Sequence, residues 1–245
     1  MARGNITGMK QIAILGLGHF GKSILDELLE LNVDVLIVDK DRDIIDMYKD
    51  APVSAVALDI LTVETLRKTL PDSIDVVIID LGGKIEASVL ATSYCAKLNV
   101  KSIIVKAETD THGEILELVG ATKVVFPNRE AAKRITPLLF YSSMLSYLPV
   151  SGSLAIAELS IPTLFFGKTL VETELRKKYN LNLLSVRTED TEYTVCEPYY
   201  VFKAGDIGLF YGSGDALREF SGSPLREHYR TGNFIARILK SLRGS

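Results

Sequence analysis

Short apolar runs alternate with helical periodicity through the first half of the chain. Six runs rich in Val, Ile and Leu predict strands at 11–15, 34–38, 54–57, 75–79, 102–105 and 123–126. Unbroken apolar runs of this length are typical of strands covered on both faces. The segments between them, such as GKSILDELLELN, repeat apolar residues at helical spacing. Alternating strands and helices predict an α/β fold, a Rossmann-like doubly wound parallel sheet with right-handed crossovers, over residues 10–127.

The pattern changes after Pro127. Residues 128–150, NREAAKRITPLLFYSSMLSYLPV, predict two crossover helices, interrupted near Pro137 and ending before Pro149. Their apolar content exceeds what one face of an isolated helix needs, so two interpretations stay open. The segment packs on its own domain, or it forms a dimer interface.

From Ser151 to residue 220 the chain is β-rich and punctuated by turns. Its pattern predicts a small α+β domain with a β-α-β-β-β plan, whose short helix is TLVETELRKKYN. Residues 1–9 form an N-terminal tail. A basic C-terminal tail over 221–245 is expected to be solvated or to contact a partner; its basic residues are Arg226, Arg230, Arg237, Lys240 and Arg243.

Composition narrows the class of protein. Apolar residues make up 47% of the 245 residues, charged residues 24%, and the net charge is −3, which favours an ordinary globular protein and no nucleic-acid partner. Cys95 and Cys196 form no CxxC motif, so we expect a reducing compartment without a disulfide. No signal peptide is visible, and the longest nearly uncharged stretch, 135–157, contains two prolines. A soluble, cytoplasmic protein is expected.

The first strand leads into GLGHFG, residues 16–21, which opens a helix. In this context Gly16 permits a tight turn, Gly18 allows the backbone to approach a pyrophosphate, and Gly21 allows close helix–strand packing. The helix N-terminus then offers N–H groups to phosphate. Asp39, 18 residues after Gly21, is placed to accept hydrogen bonds from ribose hydroxyls and would repel a 2′-phosphate. The motif predicts a site for a nucleotide, with NADP disfavoured.

Ligands of such sheets bind beyond the carboxyl ends of the strands, which adds further candidates. Asp59 can accept from an adenine amine, or it can cap the helix predicted after it. Lys106 can meet a phosphate or carboxylate, or it is an ordinary solvated lysine. The complete set of candidate binding residues is Gly16, Gly18, His19, Phe20, Gly21, Asp39, Lys40, Asp59, Ile60, Leu61, Gly82, Lys106 and Asn128.

Catalytic signatures are missing from the sequence. Residues 151–220 contain no histidine, and His19, His112 and His228 are isolated from one another. An enzyme that used this pocket would need an acid, a base or a nucleophile presented to the cofactor. We therefore expect no enzyme, with an NAD-dependent oxidoreductase as the alternative. A transcription factor is not indicated either, because the sequence shows no helix-turn-helix with a basic recognition helix.

Several segments resemble a known family. IAILGLGHFGKSILDELLELNVDVLIVDKD, LDILTVETLRK and the long run from VVIIDLGGKIEAS to NREAAKRI are similar to the RCK (regulator of potassium conductance) N-domain of Trk/Ktr-type transporter subunits. IAELSIPTLFFGKTLVETELRKKYNLNLLSVRTED and FKAGDIGLFYGSGDALREF are similar to the RCK C-domain, so the resemblance spans residues 10 to about 220.

This resemblance implies a non-catalytic regulatory subunit at the inner face of the membrane. Homodimers would assemble into an octameric ring under a membrane potassium-translocating subunit of the KtrB/TrkH kind. An adenine nucleotide (ADP or ATP, or NAD or NADH) would gate the pore through the ring. The sequence alone does not separate this partner from another channel or exchanger that an RCK module regulates.

The chain departs from the family pattern at two positions. His19 stands where relatives have an arginine that reaches the γ-phosphate, and Asn128 stands where they have a glutamate that helps hold the divalent cation on ATP. Imidazole offers fewer donors than guanidinium, and an amide is a poorer hard-cation ligand than a carboxylate. Glu130 is a candidate replacement for the metal partner. We expect ADP, AMP-containing or dinucleotide ligands to bind about as well as ATP.

The resemblance also implies a second ligand site in the C-domain. Some relatives bind cyclic di-AMP there through a run that this chain matches as Leu170-Val171, Glu174, Arg176 and Asn182-Leu183-Leu184, with Glu in place of Asp. Arg176 would pair with a phosphate and Asn182 would cap the base. The alternative is an ordinary amphipathic helix with a surface arginine.

Overall fold

The computed structural model describes residues 10–222 except Leu61 and residues 189–190. The predicted N-terminal tail and nearly all of the basic C-terminal tail lie outside the described residues. The chain divides into two compact units, Met1–Pro127 and Asn128–Ser245. Each is described by itself.

The first unit is built on a parallel sheet of six strands in the order β3-β2-β1-β4-β5-β6, which confirms the predicted doubly wound fold. Its strands are β1 Ile12–Leu15, β2 Val35–Asp39, β3 Ser54–Ala57, β4 Val76–Ile79, β5 Ser102–Lys106 and β6 Lys123–Val125. The helices between them are α1 His19–Glu30, α2 Arg42–Asp46, α3 Val63–Thr69, α4 Ile85–Lys97 and α5 Asp110–Leu118.

Side chains from both faces of this sheet are buried. Ala13 and Leu15 of β1 pack in one apolar cluster, and Ile14 between them packs in another. All four residues of β4 are buried. This is why the strands appear in the sequence as unbroken apolar runs rather than as alternating ones. The order reverses at β1, which lies between β2 and β4, so a crevice opens beyond the carboxyl ends of these strands.

The second unit holds an antiparallel sheet of five strands in the order β10-β9-β11-β8-β7. Its strands are β7 Met144–Pro149, β8 Ala155–Ser160, β9 Leu181–Thr188, β10 Thr194–Val195 and β11 Asp206–Gly212. Its helices are α6 Pro127–Phe140, α7 Leu170–Thr173, α8 Leu175–Tyr179 and α9 Gly214–Phe220, with a 3-10 turn at Thr163–Phe165. Four phenylalanines, Phe165, Phe202, Phe210 and Phe220, lie in its core.

The structure corrects the prediction of two crossover helices over 128–150. α6 runs through Pro137 without interruption as far as Phe140, and the chain then forms strand β7 instead of a second helix. The spacing of Met144, Leu145 and Leu148 suits a helix as well as a strand. Pairing with β8 decides for the strand, because residues 144–149 lie antiparallel to Ala155–Leu159 along the sheet edge.

A second correction concerns the short helix over 169–180. It is two helical turns, α7 and α8, separated at Glu174, whose φ of +48° is left-handed. A backbone in this region cannot continue an α-helix, so the segment bends at Glu174.

No helix within the described residues is both long enough and apolar enough to cross a bilayer.

Candidate functional site

A cavity of about 390 Å³ lies at the carboxyl ends of the parallel strands in the first unit. It is lined by residues 16–18, 38–41, 58–60 and 80–82, together with Ile44, Lys84 and Ala87. The lining therefore comes from the loops after β1, β2, β3 and β4, where topology predicts a ligand. Its volume lies in the range typical of small-molecule pockets.

The glycines of GLGHFG hold the loop against the end of β4. Gly16 has a φ of +86°, which favours glycine, and its N–H donates to Val38 O at 2.8 Å. A Cβ on Gly16 would lie 2.8 Å or less from the carbonyl group of Asp80, and one on Gly21 would lie 2.6 Å from Gly16 O. The loop thus turns tightly over β4, and α1 starts close above it.

Asp39, at the end of β2, is held in place by the backbone. Its Oδ2 accepts from Leu17 N at 2.7 Å and its Oδ1 accepts from Asp41 N at 2.9 Å. The carboxylate therefore joins the loop after β1 to the start of α2. Because each carboxylate oxygen can accept more than one hydrogen bond, both remain able to take a ribose hydroxyl.

Asp80 lines the cavity but was not among the binding residues predicted from the sequence. It directly follows β4, and its side chain is wholly buried. Oδ2 accepts from Gly21 N at 3.0 Å, in the first turn of α1, and Oδ1 lies 3.5 Å from Lys106 Nζ. The available signal was an aspartate placed immediately after the four buried residues VVII, at the end of the strand that borders the crevice.

Lys106, predicted as a phosphate or carboxylate ligand, is occupied by protein carboxylates. Its ammonium lies 2.9 Å from Glu108 and 3.5 Å from Asp80, and the side chain is only 17% exposed. Burial by itself would lower the pKa of Lys106, but the hydrogen bond to Glu108 and the charge of Asp80 outweigh burial and raise the pKa. Asp80 lines the cavity, whereas Lys106 does not.

Two lysines, Lys40 and Lys84, contribute to the lining of the cavity. The neighbouring ammonium of Lys40 lowers the pKa of Lys84, and the charges of Asp39 and Asp59 act in the opposite direction. Both lysines line the cavity, and Lys84 was not among the predicted binding residues. The charged side chains of the lining are Asp39, Asp41, Asp59, Asp80, Lys40 and Lys84, so carboxylates outnumber ammonium groups.

The remaining predicted residues are spread more widely. Ile60 and Gly82 line the cavity with Asp59. Helix α3 is capped by Thr62, which accepts from Thr65 N at 3.2 Å, so the alternative role of Asp59 as the cap is wrong. Leu61 lies outside the described residues.

His19 and Phe20 do not line the cavity. His19 is exposed at the start of α1, and Phe20 packs against the apolar cluster that contains Leu25. Asn128 is exposed in the first turn of α6, in the second unit. Glu130, the candidate metal partner, forms an exposed ion pair with Lys133 at 3.2 Å.

His112 has a structural role in the first unit. Its ring is 2% exposed, with Nε2 2.8 Å from Ser88 Oγ, and Nδ1 accepts from Glu108 N at 3.3 Å. Since Nδ1 accepts, the neutral tautomer carries its proton on Nε2. Burial lowers the pKa of His112, which favours this neutral form.

A cavity of about 400 Å³ in the second unit brings together the three residues predicted for cyclic di-AMP. Arg176 Nε donates to Asn182 Oδ1 at 2.8 Å, and Leu170, Val171 and Leu183 supply apolar lining. Glu174 is engaged by Lys178 at 2.7 Å and Lys177 at 3.2 Å, and these hydrogen bonds lower its pKa.

Comparison with known proteins places the chain in a family. The TrkA-N domain family matches residues 12–127. Ktr system potassium uptake protein C of Bacillus subtilis is 34% identical over 178 residues, which is 73% of this chain and 80% of the relative. Ktr system potassium uptake protein A of Vibrio alginolyticus is 28% identical over 211 residues, covering 86% of this chain and 96% of that protein.

A solved structure shares the fold. The GsuK channel bound to NAD is 21% identical, with a TM-score of 0.63 over 89% of this chain, which spans 40% of the GsuK chain. The parallel sheet with its glycine loop, the small antiparallel unit and the match to the Bacillus subtilis relative agree, and the chain belongs to the family of Ktr system potassium uptake proteins A and C.

Proposed function

We propose that this protein is a regulatory subunit of a potassium uptake system, which senses an adenine nucleotide in the first unit and gates a membrane potassium-translocating subunit. The observation that carries the proposal is the cavity of about 390 Å³ beneath the glycine loop. It lies at the reversal point of the sheet, where α/β folds of this kind bind nucleotides.

The lining suits the three parts of an adenine nucleotide. Backbone N–H groups of Leu17 and Asp41 hold the two carboxylate oxygens of Asp39 in place. These oxygens are the acceptors proposed for the ribose hydroxyls. Asp59, exposed at the end of β3, is the acceptor proposed for the adenine amine, with Ile60 as an apolar neighbour. The loop of Gly16 and Gly18 is the proposed phosphate side.

The nucleotide proposed is ADP, ATP, NAD or NADH. GsuK, which shares the fold, was solved with NAD, which supports a dinucleotide. The resemblance implies an arginine that reads a terminal phosphate at the position of His19, and His19 lies outside the cavity lining. We therefore propose that ATP with Mg²⁺ has no large advantage over ADP or NADH.

The regulatory step is proposed to work through a ring. A ligand shifts a two-state assembly only by its difference in affinity for the two states, and a hundredfold reversal each way needs about 5.5 kcal/mol. Homodimers assembling into an octameric ring would sum this difference over several sites. Ile135, Leu139 and Phe140 of α6 are 54%, 70% and 52% exposed, which supports α6 as the dimer interface. The subunit would lie on the cytoplasmic side, attached to the membrane through its partner.

Isothermal titration of the full chain with ADP, ATP–Mg²⁺, NAD and NADH tests the ligand. We expect binding by all four, with ATP–Mg²⁺ less than about tenfold tighter than ADP. Asp59→Asn is expected to weaken all four, whereas Asp34→Asn, an exposed change outside the cavity lining, is expected to weaken none. Absence of binding by all four would refute the nucleotide site.

The gating step needs a separate experiment. The mass of the native complex with and without nucleotide measures the ring, and nucleotide-dependent potassium flux through a co-expressed membrane subunit measures the gate. Flux that ignores both the protein and its nucleotide would refute the regulatory role. Oxidation of NADH by candidate carbonyls would instead support the oxidoreductase alternative.

The cavity in the second unit supports cyclic di-AMP as a second ligand. Arg176 lines this cavity and donates to Asn182 Oδ1 at 2.8 Å, and it is the partner proposed for a ligand phosphate. Equilibrium dialysis should retain labelled cyclic di-AMP on the unmodified chain and on Lys203→Ala, which removes an exposed charge outside the lining. Retention should be lost in Arg176→Ala, and equal retention by all three proteins would refute the site.

A further inference from the structure

We infer that Asp80 is a specificity-determining residue, which makes the nucleotide cavity discriminate against ligands with concentrated phosphate charge. The inference rests on the proposed nucleotide-binding function and assigns a role to a residue that the sequence motif does not include. It predicts which adenine nucleotides the cavity favours when no cation accompanies them.

The carboxylate of Asp80 lies at the first turn of α1. Asp80 Oδ2 accepts the N–H of Gly21 at 3.0 Å, which is one of the first-turn N–H groups that a helix offers to an anion. Asp80 also lines the cavity together with Gly16 and Gly18. A protein carboxylate therefore already occupies part of the anion-binding end of α1.

Asp80 leaves no room for a side chain at Gly18. This residue has φ −63° and ψ −179°, which any amino acid can adopt. A Cβ there would lie within 2.7 Å of both carboxylate oxygens of Asp80. The absence of a side chain at Gly18 is thus required by Asp80, and the loop rests directly on a negative charge.

The negative charge of Asp80 is only partly neutralised by its lysine partner. Lys106 partly offsets Asp80, but it is closer to Glu108, at 2.9 Å against 3.5 Å. A helix N-terminus carries only about half a positive charge. Each negative charge that a ligand brings to this loop is therefore repelled by Asp80, and in a buried setting water screens the repulsion weakly.

Ligands differ in how they carry their phosphate charge. Each phosphate of NAD is a diester-like group with one charge, whereas the terminal phosphates of ADP and ATP carry additional charges. The cavity should consequently prefer NAD to ATP in buffer free of divalent cations. A cation bound to ATP should reduce the difference, since it neutralises the charge that Asp80 repels.

Titration of Asp80→Asn in cation-free buffer tests the inference, with adenosine as the uncharged probe. We expect ADP and ATP to bind at least about tenfold more tightly than they bind the unmodified chain, and adenosine to change less than about twofold. Lys106 keeps Glu108 as a partner in this variant. The matched control Asp34→Asn removes one exposed charge outside the cavity lining and should change neither affinity.

Two further measurements make the test independent of one variant. Asp80→Ser is expected to give the same gain, and the unmodified chain alone should bind NAD at least about tenfold more tightly than ATP without cations. Folded Asp80 variants with an unchanged ratio of ATP to adenosine affinity, or ATP binding as tight as NAD in the unmodified chain, would overturn the inference. Failure of every protein to bind adenosine, NAD and ATP would instead refute the nucleotide site itself, and the inference with it.

Discussion

The contact between Gly18 and Asp80 can be tested by adding a single methyl group. Gly18→Ala introduces no backbone strain, because φ −63° and ψ −179° are ordinary values for alanine. Its Cβ would lie 2.6 Å from Asp80 Cγ, and real Cβ atoms essentially never come closer than 3.0 Å to such a neighbour. The carboxylate must therefore move, and its hydrogen bond to Gly21 at 3.0 Å is weakened or lost.

The cost follows from these two effects. Overpacking of a buried position costs about 1–3 kcal/mol. Loss of a buried hydrogen bond to a charged group adds about 1–3 kcal/mol. We expect Gly18→Ala to lower the free energy of unfolding by about 2–6 kcal/mol. The control is Gly83→Ala in the loop after β4, where an added Cβ meets no described heavy atom within 4 Å, and its effect should stay within about 0.5 kcal/mol.

Urea denaturation followed by circular dichroism measures these changes, and a double-mutant cycle identifies their cause. Asp80→Ala removes the carboxylate with which the Cβ of Gly18→Ala clashes. The free energy of unfolding of the double variant should therefore be at least about 1 kcal/mol higher than the sum of the two single losses predicts. Additive losses, or a Gly18→Ala variant as stable as Gly83→Ala, would show that the glycine does not serve the packing of Asp80.

Three further predictions concern other parts of the molecule. Folding lowers the pKa of His112 below its usual 6.5, so below this pH the unfolded chain binds more protons than the folded one. The contribution of His112 to stability is therefore complete above pH 6.5 and is lost as the pH falls toward the folded pKa. The urea midpoint of His112→Gln should consequently vary less between about pH 7 and 5 than that of the unmodified chain. Burial raises the pKa of Cys95 to about 12, and burial together with nearby carboxylates raises that of Cys196 to about 11. Iodoacetamide should therefore label the half-buried Cys196 first and Cys95 only in urea, which peptide mass spectrometry measures. Equal labelling of both cysteines in the native protein would contradict this expectation. Phe165→Ala should cost about 3–5 kcal/mol and Leu164→Ala, at a 54% exposed neighbour, under about 1 kcal/mol, with equal losses arguing against the aromatic core.

The family and the doubly wound sheet were accessible from the sequence because they depend on local and periodic features. Strands buried on both faces must be apolar throughout, and this leaves runs such as VVII of β4 visible without any tertiary information. The glycine loop is equally visible, since it needs a positive φ at Gly16 immediately after a strand.

The segment after Pro127 shows where periodicity is ambiguous. Met144, Leu145 and Leu148 satisfy a helical spacing, yet β7 forms because β8 offers it a row of backbone partners. Pro137 likewise lies inside α6, although proline predicts an interruption. For β7, backbone pairing with the neighbouring strand β8 outweighs the helical spacing.

The candidate site divides in the same way. The sequence by itself determined the carboxyl-end loops, with Gly16, Asp39 and Asp59, because motif spacing and strand order place them together. Only the tertiary structure decided that Asp80 lies against Gly18, that Lys106 is held by Asp80 and Glu108, and that His19 is not part of the cavity lining. The physical reason is that a buried charge takes its partners from strands and helices far apart in the chain, and no local pattern records which partners they are.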